Sequence, residues 1–101
     1  MNSWFEALGT RFARTATRRG VEIAAPELDP AVAEEVLELA RVASHTKERR
    51  FAPLAAFMAG IAVERMRQAG SAPSADEAAY LREIHQALEA ESPSEARTAA
   101  P

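Results

Sequence analysis

Apolar residues recur three and four positions apart along most of this chain, and the alternation that marks a half-buried strand is nearly absent. That spacing restricts the 101 residues to helices, which glycine and proline cut into four segments. The first starts at Ser3, whose spacing to Glu6 is that of a capping box, a pairing that satisfies two orphan backbone donors at a helix start. Trp4, Leu8 and Phe12 then recur four apart, with Phe5 and Ala16 beside them, and Gly20 is a natural stop. Val21 to Leu28 reads as a connector, because Pro26 resists helix continuation. Asp29–Pro30 restarts the helix: Asp caps, and Pro suits the first helical position.

In the second helix Val32, Val36, Leu39, Ala40 and Ala43 form the stripe expected to be buried, with Glu34, Glu35 and Glu38 on other faces. The spacing breaks between Ser44 and Ala52, and Pro53 opens a third helix. Its expected buried face is Leu54, Phe57, Met58, Ile61, Ala62 and Met66, while Ala55, Ala56, Ala59 and Gly60 are small enough to admit a close neighbour. Close packing is the expected reason for Gly60, since glycine inside a helix costs up to about 1 kcal/mol against alanine. Gly70 to Pro73 is a linker, Ser74 and Glu77 repeat the capping-box spacing, and Leu81, Ile84 and Leu88 mark a fourth helix. The expected spans are 3–19, 30–45, 53–68 and 75–91, one helical domain over residues 1–91, followed by a disordered tail at 92–101. The fold class is all-α, four short helices in a small antiparallel or orthogonal bundle.

Composition limits what such a fold can do. Without cysteine, neither disulfides nor thiolate metal sites brace the core, which fits a reducing, cytoplasmic setting. The net charge of −3 argues against nucleic-acid binding, and no apolar run is long enough to span a membrane. No phosphate loop, zinc-protease motif or nucleophile elbow occurs, and no nucleophile, base and orienting group stand together, so neither catalysis nor a cofactor is expected. His45 and His85 lie too far apart in sequence to share metal-ligand spacing, so no metal site is expected.

Two charged groups remain as candidate sites. His45, Glu48, Arg49 and Arg50 crowd the turn between the second and third helices. They can contact a partner protein or grip an anionic ligand through the planar fork of Arg49, or can simply offset the negative end of the second helix. Arg11, Arg14 and Arg18 lie mostly off the apolar stripe of the first helix and form a basic face able to meet an acidic surface, the chain's own second helix being the simplest. Trp4 and Phe5 suit a membrane-surface helix, but a small core poor in aromatics is the better expectation for them.

The stretch Leu39-Ala40-Arg41 … His45 … Glu48-Arg49 … Ala52-Pro53-Leu54 … Phe57 … Gly60 … Ala62, with Trp4 near the start, resembles an actinobacterial family of small helical domains of unknown function. The pattern is LARxxAHxxERxxAPLxxFxxGxA, matched best over residues 30–66, and Arg50-Phe51 stand where that family has small residues. Such domains are found beside or fused to molybdenum-cofactor guanylyltransferases and formate-dehydrogenase accessory proteins. The resemblance therefore implies an accessory or docking role in molybdenum-cofactor maturation, with another protein as partner. A helical homodimer through Ala55, Ala59 and Gly60 is the structural alternative.

Overall fold

The computed structural model describes residues 3–70 and 74–91, the side chains of residues 74 and 75 excepted. The expectations of a linker at 71–73 and of a disordered tail at 92–101 lie outside the described residues. Four helices follow in chain order: α1 (Ser3–Arg18), α2 (Pro30–Thr46), α3 (Phe51–Gln68) and α4 (Ser74–Ala90), with no strand among the described residues. The fold is small and all-α. The chain divides into two compact units, residues 1–30 and 31–101.

In the first unit α1 ends as its glycine requires. Gly20 adopts φ +87°, its N–H donates to Thr17 O at 2.9 Å, and the Val21 N–H donates to Ala16 O at 2.9 Å. This pair of bonds is a Schellman motif, open to glycine because it has no Cβ to clash at positive φ. The connector then lies back along α1. Gly9 is buried, and a Cβ placed on it would collide with the carbonyl oxygen of Pro26. No bond joins Ser3 to Glu6, so the expected capping box does not form. The apolar stripe of α1 is also not core: Trp4 is 65% and Phe12 55% exposed. Among the described residues of this unit, the connector meets the Gly9 side of the helix and not the aromatic side.

The second unit packs α2, α3 and α4 around Val32, Leu39, Ala59, Val63 and Leu81, with Val36, Ala55, Tyr80 and Leu88 against them. Paired side chains give the helix directions. Glu35 meets Arg82 and Arg41 meets Glu89, so α2 and α4 run parallel. Arg67 meets Glu77 where the end of α3 and the start of α4 come together, closing a helical hairpin. The start of α2 at Pro30 and its buried Val32, Leu39 and Ala43 agree with the periodicity. The third helix starts two residues earlier than expected, at Phe51. Proline is tolerated two positions further in because the first-turn N–H groups have no intrahelical partner to lose. Phe51 and Ala52 instead donate to Glu48 O and Arg49 O at 2.9 and 3.1 Å.

The larger correction concerns which side of α3 is buried. Ala59 and Val63 are buried, whereas Leu54, Phe57 and Met58, expected inside, are exposed, Phe57 to 70%. α3 is apolar around most of its circumference, so spacing alone favours the bulkier side. The small side actually packs, since it lets the neighbouring helices come close. The small residues are split accordingly: Ala55 and Ala59 face the core, and Gly60 faces solvent with no atom within 4 Å of where its Cβ would sit. Close packing within this chain is therefore not the reason for Gly60.

The two helical glycines make a paired prediction. Gly9→Ala should loosen α1 against its connector by about 1–3 kcal/mol, as overpacking does, and will be read as faster hydrogen exchange across residues 3–22. Gly60→Ala should raise the thermal midpoint, contributing up to about 1 kcal/mol.

Candidate functional site

The chemistry-bearing residues fall into four groups, beginning with the polar ties between helices. Glu35 on α2 faces α4 and is 13% exposed. Arg82 donates to its Oε2 through Nη2 at 2.8 Å and Nε at 3.2 Å, and the buried His85 donates from Nε2 to Oε1 at 2.8 Å. The bond from His85, then that from Arg82, holds the Glu35 carboxyl below the ordinary carboxylate value. Further along the same seam Arg41 bridges Glu38 and Glu89 at 2.9 and 3.3 Å. Arg41 lowers the Glu38 carboxyl, and Glu38, followed by Glu89, pushes the Arg41 guanidinium up. Between α3 and α4, Arg67 grips both oxygens of Glu77, Nε at 2.8 Å and Nη2 at 3.0 Å. Glu77 is 1% exposed and both its carboxylate oxygens engage this fork, while the capping-box expectation at Ser74 rests on a side chain outside those described.

A carboxylate holding an imidazole is also how a general base is oriented. Here the other ring nitrogen, Nδ1, is buried and makes no hydrogen bond, and the ring lines neither of the concavities described below. The cluster clamps α2 to α4 through the bonds of Arg82 and His85 to Glu35. The sequence reading missed Glu35, Arg82, Arg67 and Glu77 because partners up to fifty residues apart leave no local pattern. The one available signal was a helix-terminal Arg67 and a helix-initial Glu77 flanking a short linker.

The second group is the turn at 45–50. His45, on the last turn of α2, donates from Nδ1 to Arg41 O at 2.9 Å. Arg50 donates from Nε to Glu48 Oε1 at 2.7 Å, both side chains being well exposed. Arg49 is exposed and makes no side-chain bond among the described residues. The structure thus pairs Glu48 with Arg50 and ties His45 to its own helix, while none of the four lines either concavity.

Arg11, Arg14 and Arg18 form the third group. All three are exposed and line one side of α1, together with Ala7, Thr10 and Thr15, around an open concavity of about 460 Å³. Arg18 donates to Thr15 Oγ1 at 3.2 Å. A trough walled by a single helix has no opposing surface to enclose a ligand.

The fourth group is the outer face of α3. Arg50, Leu54, Phe57, Met58, Ile61 and Arg65 follow one another at helical spacing and so share one side. All six are exposed. Beside them, Met58, Ile61, Ala62, Arg65, Met66, Ala69 and Tyr80 line an open groove of about 540 Å³ between α3 and α4. Arg65 makes no bond among the described residues. Among those residues no three His, Cys, Asp or Glu side chains gather as a metal site would need, and no helix is long and apolar enough to cross a membrane.

These features define a small all-α domain with an exposed apolar helix face. The profile of the family described as Domain of unknown function (DUF6457) matches residues 1–101, and the chain belongs to that family. No curated protein and no solved structure matches it.

The clamp gives a pH prediction. Both shifted carboxyls are lowered, so their ionised, paired forms stabilise the fold fully above the ordinary value of 4.5. That contribution is lost as pH falls through the lowered folded-state values. Glu35→Gln should flatten this acid limb of stability and cost about 1–3 kcal/mol at neutral pH, as read from denaturant midpoints between pH 7 and about pH 3.

Proposed function

We propose that this protein is an accessory module that docks onto another protein and catalyses nothing itself. One observation carries the reading: α3 is apolar on two opposite sides, one packed on α2 and α4 and the other exposed through Leu54, Phe57 and Met58. Large apolar side chains gathered on one exposed face are characteristic of an interaction surface. Each contributes about 1.5–3 kcal/mol when fully covered, enough in combination for a stable complex. The candidate turn supports the same reading, because Arg50 continues the α3 face by one turn and Arg49 stands next to it.

The resemblance to domains that accompany molybdenum-cofactor guanylyltransferases and formate-dehydrogenase accessory proteins supports molybdenum-cofactor maturation as the setting, in the cytoplasm of an actinobacterium. The net charge of −3 supports a protein partner over a nucleic acid. Phe57→Glu tests the surface. Because Phe57 is exposed, the substitution should shift folding stability by no more than about 0.5 kcal/mol, yet it should abolish co-purification of the partner from native-host lysate. Undiminished co-purification would overturn the reading.

A further inference from the structure

We infer that the outer face of α3 receives an amphipathic helix whose apolar side is flanked at both ends by acidic residues. The inference rests on the reading of this face as an interaction surface and adds the chemistry of its occupant. The carrying observation is the order of residues along the face: Arg50, then Leu54, Phe57, Met58 and Ile61, then Arg65. At about 1.5 Å per residue the two arginines stand roughly 20 Å apart, the length of a three- to four-turn helix. Arg65 has no partner among the described residues, and Arg50 is engaged only by the exposed Glu48 two residues away. Exposed cations bordering an apolar strip favour carboxylates placed at the same separation on whatever covers the strip.

The groove beside the strip suits a helix in particular. Met58, Ile61, Met66 and Tyr80 wall it, and two of these are methionines, whose flexible side chains adapt to an incoming apolar ridge. Helices recognised in this way present apolar anchors at three- and four-residue intervals, matching the spacing of Leu54, Phe57, Met58 and Ile61.

The same charge pattern argues against a second copy of this chain as occupant. A two-fold pair of antiparallel α3 helices centred on Phe57 and Met58 would set Arg50 of one copy against Arg65 of the other. A parallel two-fold pair would set Arg65 against Arg65. Like charges face each other at these positions either way.

The test uses the full chain and two synthetic helical peptides of about 18 residues, enough to span the face. Both carry a leucine stripe; one has glutamates and its twin has lysines at the two ends. Amide shifts on titration should place the acidic peptide on residues 54–66 and Tyr80. The lysine twin should bind at least about tenfold more weakly, and Arg65→Glu should weaken the acidic peptide by about tenfold while strengthening its twin. An unchanged helical circular dichroism spectrum verifies that the variant is folded.

Equal binding of the two peptides overturns the inference, as do shifts confined to other residues. So does a concentration-dependent dimer abolished by Phe57→Glu. Binding to phosphatidylglycerol vesicles in preference to either peptide also overturns it, because the face would then serve an anionic membrane. If Phe57→Glu removes the native partner but the acidic peptide fails, the interaction surface stands and the chemistry assigned to its occupant falls.

Discussion

Alanine on the inner side of α3 decides how the second unit is built. Ala55 and Ala59, with Val63 one turn on, are the residues that α3 brings to the cluster it shares with Val32, Leu39 and Leu81 of α2 and α4. A helix has only one circumference, so seating the small residues inward turns Leu54, Phe57 and Met58 outward. The unusual surface of this protein is thus the geometric complement of its core. Ionic ties flank this core: Glu35 and Arg41 of α2 and Arg67 of α3 find partners on α4.

Those ties differ in worth. Arg41 with Glu38 and Glu89 is open to water on both sides and adds little to stability. Glu77 is buried, so its bond to Arg67 chiefly prevents the large loss that an unpaired carboxylate would bring. The clamp at Glu35 lies between these extremes, and the orphan Nδ1 of His85 subtracts from it, because a buried ring nitrogen without a partner forgoes the water it left behind. A seam of this kind fixes which residues of α2 stand beside which residues of α4.

Helix existence and order were legible because they depend on local rules. Gly20, Pro30 and Gly70 punctuate the chain where the helices end or begin, and each acts through its own backbone preference. Orientation was legible where a helix has one apolar side, as in α2. It was misread in α3, where two sides compete and the choice rests on neighbours distant in sequence. In α1 an evident stripe at Trp4 and Phe12 stays exposed, because Gly9 and not an aromatic is the residue that meets the connector. At the candidate site the charged turn was visible as composition, but its continuity with the α3 face through Arg50 required the earlier helix start at Phe51.

The fork between Arg67 and Glu77 has a consequence for how the chain acquires its shape. It joins residues only ten apart, at the closed end of the α3–α4 hairpin, so bringing them together sacrifices little chain freedom. Contacts of such short range form early in folding, whereas Glu35 must wait for partners some fifty residues away. By chain entropy alone, the hairpin contact costs less to close than the contacts that bring α2 against α4. A nascent chain would meet its surroundings with the inner seam of α3 open for a moment and the outer face open throughout.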